Sequence, residues 1–323
     1  MSNKQGIAIA GSILVDEINE ISSYPACGEL TQIRKVERST GGCVPNVAMD
    51  LKKLCPTLSV TALGKIGDDE MGTYASNVMA DAGVDVASVV VAAGEKTSFT
   101  QVMSIDGGQR TFFTYAGASA LFGADDIPFD MVQPRILLLG YFLLLNKIDN
   151  GDGLTVLKEA SARGIKTSID LVSENSDRYS LVLPCLPYTD YLIVNEFEAG
   201  KLAGIEPTAD NLITIARRLQ ELGVREKVII HQPHSALCVS GDEVTVVPSY
   251  QLPSGYIKGT TGAGDAFCAG ALLGLYEGWS DREILEFASS AAVAALGSAD
   301  ATSGLKTVDE VRALCAGLSR QVL

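Results

Sequence analysis

Apolar residues follow two periods along this chain. Short stretches that are largely apolar occur at Ile7–Ala10, Val60–Leu63, 136–139, 191–194 and 228–231, and a more polar one, Lys166–Leu171 with Asp170, reads as a further strand. Runs of this length, bounded by glycine or polar residues, are the signature of strands buried on both faces. Between them lie segments with helical spacing: 47–54, a segment from Gly72 that stops at Gly83, 154–163 closed by Gly164, a short one after Asn195 that stops at Gly204, and 211–222 closed by Gly223. Glycine just past a helical run is the usual C-terminal stop. Further on come a small, apolar run at 266–276 and an Ala-rich run at 282–296. Ser280-Asp-Arg-Glu283 and Thr307-Val-Asp-Glu310 have the capping-box pattern that starts a helix. Strands alternating with helices predict an α/β fold, a doubly wound, mostly parallel sheet with helices on both faces. Ligands of such sheets bind beyond the carboxyl ends of the strands.

Four extended segments fall outside that alternation. Two lie within 13–36, which contains Pro25 and Gly28 and alternates near 31–36. Two more, 99–105 and 111–115, flank Asp106-Gly107-Gly108, a hairpin signal. Together they predict a small β lid from about 13–36 and 97–116. A second hairpin is predicted at 236–240 and 244–247 around Gly241-Asp242.

Composition narrows the partners. With 323 residues, 47% of them apolar, the chain can bury a sizeable core, and it reads as one domain over 1–323. A formal charge of −14 argues against nucleic acid and anionic membrane, which demand basic patches. Phosphate ligands stay open, because backbone amides can hold them. Seven cysteines without a Cys-x-x-Cys motif suit a reducing cytoplasm, and the two histidines, His231 and His234, give no zinc spacing. The apolar start at 7–15 runs into Asp16 and Glu17 instead of a cleavage site, and 136–145 is too short to span a bilayer.

The chemistry concentrates in Gly259-Thr260-Thr261-Gly262-Ala263-Gly264-Asp265. A glycine turn opening a buried helix presents amides that have no internal partner, and the macrodipole adds positive potential. It is an anion site, and a carboxylate beside it is what phosphoryl transfer to a hydroxyl needs. The same residues equally suit an ordinary helix start with an acidic first turn.

The segment 260–265 resembles the C-terminal signature of the PfkB (ribokinase-like) carbohydrate kinases, Asp-Thr-x-Gly-Ala-Gly-Asp. Other patterns of that family follow in order: Asp16 after the first strand, Gly41 and Gly42 with Asn46, and Asn195 with Glu198. The resemblance covers nearly the whole chain. It implies an ATP-dependent kinase acting on a small sugar, a ketose or furanose first, with Asp265 as base and the 262–264 amides (Gly262, Ala263, Gly264) as anion hole. Asp16, Gly41, Gly42, Asn46 and Arg110 would meet the sugar. Asn195, Thr260, Gly262, Gly264, His231 and Ser235 would meet the nucleotide, with Glu198 and Asn195 near Mg²⁺. A lid this small, carrying Phe99, Phe112, Phe113 and Tyr115, cannot bury its apolar face alone, so it is expected to pack on a second subunit's lid in a homodimer. Taken singly, several of these have plainer readings: Asn195 as a helix cap with Glu198 a solvated acid, Arg110 as a turn residue, the histidines as loop residues. A nucleoside kinase shares the motifs, and a non-catalytic sugar-binding relative is the alternative from another class.

The chain departs from the family pattern twice. Gly259 replaces the first aspartate of the signature. His231-Gln-Pro-His-Ser-Ala236 stands where the family has a Gly-x-x-Gly loop, so the nucleotide loop must follow another path, since proline and alanine do not adopt the left-handed conformations open to glycine.

Overall fold

The computed structural model describes residues 4–105, 110–173, 177–298 and 300–322. An eight-stranded sheet forms its centre. Six strands are parallel: β1 (Ile7–Ala10), β4 (Val60–Leu63), β9 (Ile136–Phe142), β10 (Lys166–Leu171), β11 (Tyr191–Asn195) and β12 (Lys227–His231). The hairpin of β13 (Ser235–Ser240) and β14 (Glu243–Pro248) extends it antiparallel, in the order β14-β13-β12-β11-β10-β9-β1-β4. Alternation along β1 splits the core into two layers. Ile7 and Ile9 face α1 (Cys43–Leu54), α6 (Ala263–Glu277) and α7 (Asp281–Leu296). Ala8 and Ala10 face α3 (Gly153–Ala162), α4 (Glu196–Ala203) and α5 (Leu212–Glu221). With helices on both sides, inner strands such as β1 and β9 are apolar at nearly every position, as read from the sequence, while β10 buries the polar Thr167, Ser168 and Asp170.

Helix α6 is buried along most of its length, which explains why its sequence has no polar face. The capping boxes at Ser280 and Thr307 both form and open α7 and α8 (Val308–Cys315). Among the described residues, no helix is long and apolar enough to cross a membrane, and all seven cysteines are free.

The lid is a separate four-stranded sheet in the order β3-β2-β7-β8, made of β2 (Leu14–Ile21), β3 (Ile33–Gly41), β7 (Ser98–Ser104) and β8 (Arg110–Tyr115). The turn expected at 106–108 lies outside the described residues. Two short strands, β5 (Lys65–Gly67) and β6 (Val90–Ala92), pair beside α2 (Glu70–Asp81) and were not legible from the pattern.

The junction of lid and core differs from expectation. Strand β3 runs on to Gly41, and α1 begins at Cys43 instead of Val47. The reason is tertiary. Ser12, on the loop after β1, caps this helix from outside: its Oγ accepts from Cys43 N (3.3 Å) and its carbonyl from Val44 N (3.2 Å). Gly42 alone links strand to helix, at φ +89°, and a Cβ there would stand 2.6 Å from Ser12 O. The early start places Asn46 inside the first turns of a buried helix.

Candidate active site

The anion turn is built where the sheet rule puts it, at the N-terminus of α6. Gly262 is its N-cap at φ +79°, with no side chain capping the helix. A Cβ on Gly262 would lie 2.4 Å from Ala301 O, so the turn is pressed against the 300–303 loop and only glycine fits. Among the described residues, the amides of Gly262, Gly264 and Asp265 have no backbone acceptor. That of Ala263 is tied back to Thr260 O at 3.3 Å. The free amides therefore differ from those the sequence suggested: Ala263 drops out and Asp265 joins Gly262 and Gly264.

Asp265 stands in the first turn and is 6% exposed. One of its oxygens, Oδ2, accepts from Asn46 Nδ2 at 2.9 Å and from Tyr141 Oη at 3.1 Å. Among the described residues no bond falls on Oδ1, which stays available to a ligand. Burial pushes the carboxyl up to about 6, against the pull of the Asn46 and Tyr141 hydrogen bonds. Burial, then the charge of Asp265, raises the Tyr141 phenol, so it remains a neutral donor. Tyr141 has φ +56°, and Leu143 just beyond it has φ +78°, both unusual for residues with a side chain. The chain leaves β9 on an irregular path there, and that path aims the phenol at Asp265. Sequence reasoning missed Tyr141, because nothing in a run of apolar residues announces a left-handed backbone.

The lid supplies the opposite wall. Asp16 sits on β2, level with Ser39 on β3 and Thr100 on β7. Burial raises its carboxyl to about 6, opposed by a hydrogen bond with Thr100. Gly41 is its neighbour, since a Cβ there would lie 2.6 Å from Asp16 Oδ2. Arg110 is exposed at the far end of β8. It is four residues along from Thr114, the partner of Thr100, or about 13 Å at strand spacing. The lid does not bring it to Asp16.

On the other side of the anion turn lies a cavity of about 620 Å³. Asn195, Thr260, Gly264, His231 and Ser235 all line it, while Gly262 does not. The rest of the wall is largely apolar, with Phe197, Leu252, Ile257, Phe267 and Val293. Burial lowers His231 to about 4, and its ring packs on Phe267 with centroids 4.7 Å apart. It is thus a neutral wall near the turn, without a charge to offer phosphate at neutral pH. The altered loop closes as a tight turn: Gln232 N bonds Ser235 O (3.0 Å), and His234 Nδ1 meets Gln321 Oε1 (2.9 Å).

Asn195 and Glu198 form a capping box at the start of α4. The cap reading is right, but the solvated acid is not. Glu198 is 3% exposed, with its oxygens accepting from Ser173 Oγ (2.8 Å) and Asn195 N (3.1 Å). Burial raises it, and those bonds oppose the rise. Asp170, at the end of β10, is raised well above the carboxylate range by burial and then by the charges of Glu198 and Asp265. Its place at a strand's carboxyl end was the available signal, and the sequence reading gave it no role. Glu198 raises both Asp170 and Asp265, and Asp265 also raises Asp170, so the three carboxylates form a region where a cation is favourable. Among the described residues no three His, Cys, Asp or Glu side chains converge on a single metal point.

A nucleotide-sized cavity, an anion turn, a buried carboxylate and a polar lid define a phosphotransferase site. The profile of the pfkB family carbohydrate kinases matches residues 5–308, and the chain belongs to that family. It is 26% identical over 291 residues to a ribokinase of Arabidopsis thaliana, covering 88% of this chain and 74% of that protein. It is 27% identical over 301 residues to an adenosine kinase of Schizophyllum commune, covering 85% and 83%. The fold matches the structure of Arabidopsis thaliana ribokinase complexed with ribose and ATP, with a TM-score of 0.83 over 96% of this chain and 98% of the other, at 23% identity. The protein is a sugar or nucleoside kinase of the PfkB family.

Proposed function

We propose that this kinase transfers the γ-phosphoryl group of ATP to a hydroxyl of a small sugar, a ketose or furanose first, with Asp265 as general base. The observation that carries this is the one-sided anchoring of Asp265. Asn46 and Tyr141 both hold Oδ2, which leaves Oδ1 to take the proton. A carboxyl near 6 is largely ionised at neutral pH yet still basic enough to help. The substrate oxygen attacks the γ-phosphorus, its proton passes to Oδ1, and ADP leaves. Charge gathering on the phosphoryl oxygens meets the free amides of Gly262 and Gly264. Asp16, with acceptor oxygens on the lid, and Gly41 and Gly42 suit adjacent sugar hydroxyls. Arg110 contributes only if the lid moves.

ATP fits the cavity beside the turn, with its base among the apolar residues and its phosphates toward Gly264, Thr260 and Asn195. Glu198 and Asn195, with Asp170 beside them, would hold Mg²⁺ through water, as a strongly hydrated ion prefers. When bound it supplies positive charge to the phosphates. The residues present hold the site dry and keep the acceptor hydroxyl apart from bulk water.

The lid supports a homodimer. Phe113 is 59% and Val36 62% exposed on the same face of the lid, opposite to Asp16, on a sheet too small to stand alone. We take residues 1–323 as one domain with the lid inserted, in a reducing cytoplasm that suits seven free thiols. A nucleoside is the second reading. Phe112 pairs with Val102 on the lid face that carries Asp16, and an aromatic there could shelve a base. The test is phosphate transfer from ATP to ketohexoses, pentoses, sugar acids and nucleosides, read by mass spectrometry. A hydroxyl-reading site separates substrates by orders of magnitude. A nucleoside leading the panel would replace the sugar reading.

A further inference from the structure

The back of the anion turn contains a buried acid and a lysine that the reaction does not use. Asp50 lies one helical turn beyond Asn46 on α1 and is fully buried, and among the described residues neither of its oxygens has a hydrogen-bond donor. Burial raises it well above the carboxylate range, against the pull of Lys53. Its charged surroundings are Lys53, Asp265 and Asp300. Lys53, three residues further along the same helix, donates from Nζ to the carbonyl of Thr302 at 2.7 Å. Thr302 belongs to the loop that buttresses Gly262: Ala301 O and Cα would lie 2.4 and 2.6 Å from a Cβ on that glycine. The loop is folded on itself by Asp300, whose Oδ1 accepts from Thr302 N (3.0 Å) and Ser303 N (2.6 Å).

These contacts form one chain of cause. The Lys53 ammonium, in the field of Asp50 and Asp300, holds a carbonyl, and the carbonyl's neighbour sets the glycine on which the free amides depend. The anion turn has no side-chain cap of its own. Its geometry must come from behind. Lys53 is a cation placed beside Asp50 and Asp300 at the back of that turn. Burial lowers Lys53, and the charges of Asp50 and Asp300 oppose that.

We propose that Lys53 is a positioning residue for phosphoryl transfer: by tying Thr302 it presses Ala301 against Gly262 and fixes the 262–264 amides. The proposal rests on the reading of that turn as the anion hole. A displaced turn misplaces the phosphoryl group, and an error of about 1 Å can cost about 10²-fold in rate. The loss should fall on kcat and leave the KM of the acceptor unchanged, because the lid is not involved.

The test compares wild type with Lys53→Ala, Lys53→Arg and Lys53→Met. Wild-type transfer is measured first, and its absence on every acceptor would refute the kinase reading itself, not the role of Lys53. With transfer present, Lys53→Ala should lose roughly 10²-fold in kcat, Lys53→Arg should retain most of it, and propylammonium, which replaces the deleted atoms, should restore part of the loss to Lys53→Ala. Amide exchange at 259–264 and 300–304 should accelerate in Lys53→Ala and Lys53→Met. If Lys53→Ala fails to fold, Lys53→Met carries the exchange and kcat measurements. A kcat within about threefold of wild type, or a loss with neither propylammonium rescue nor faster exchange at the turn, overturns the proposal.

Discussion

Replacing Tyr141 by phenylalanine should move the acidic limb of the pH–rate profile upward. The substitution keeps the ring and removes one of the two donors on Asp265 Oδ2. A hydrogen bond to a charged acceptor is worth about 1.5–3 kcal/mol, and each 1.36 kcal/mol moves a pKa by about one unit. Burial already holds Asp265 up at about 6, and the Tyr141 bond is one of the two forces pulling it down. Without it the carboxyl should titrate at roughly 7–8. At pH 7 the ionised fraction then falls from about nine-tenths to between roughly a half and a tenth, so kcat/KM falls about 2–10-fold. At pH 9 the variant should approach wild type. The assay is kcat/KM for the best acceptor from pH 5 to 9, with ADP release coupled to a pH-tolerant readout. A limb that stays in place, or moves down, refutes the idea that Tyr141 stabilises the carboxylate. An equal loss at every pH would mean that the phenol acts on geometry and not on charge.

Asp265→Asn should lower kcat by roughly 10²–10⁴-fold while sparing ligand binding, and near wild-type turnover would remove Asp265 from the mechanism. The same variant tests burial. A carboxyl raised from 3.8 to about 6 on folding destabilises the native state as it ionises, fully so above the folded value and not at all below the unfolded one. Asp265→Asn should therefore gain about 3 kcal/mol in urea unfolding at pH 8 and almost nothing at pH 3, and equal gains at both would contradict it. Asp16→Ala should depress kcat/KM for the preferred acceptor by at least roughly tenfold, and an unchanged value would end the proposed hydroxyl clamp. Light scattering at micromolar concentration should give the mass of a dimer, and a monomer would leave the exposed lid aromatics without their proposed partner. Gly259 offers no side-chain oxygen beside the anion turn, so K⁺ should activate little more than Na⁺; a strong K⁺ requirement would show that backbone carbonyls suffice.

The periodicities fixed most of the framework because burial on both faces of a parallel sheet dictates every residue of a strand such as β1 or β11. Local chemistry did the same for the helix ends: Gly204 and Gly223 stop their helices, and Ser280 and Thr307 start theirs. The glycines at 262 and 264 with Asp265 likewise marked the anion turn, since a helix N-terminus carries its own free amides. What the sequence left open depends on residues far apart in the chain. Ser12 starts α1 four residues before its pattern does, which turns Asn46 onto Asp265, 219 positions away. The left-handed turn at Tyr141, the burial of Glu198, and the meeting of Lys53 with Thr302 depend on packing between elements that share no local signal. Placement of Asp265 in a buried first turn was local information. Its raised acidity and its two donors came from neighbours that only the folded chain brings within hydrogen-bonding distance.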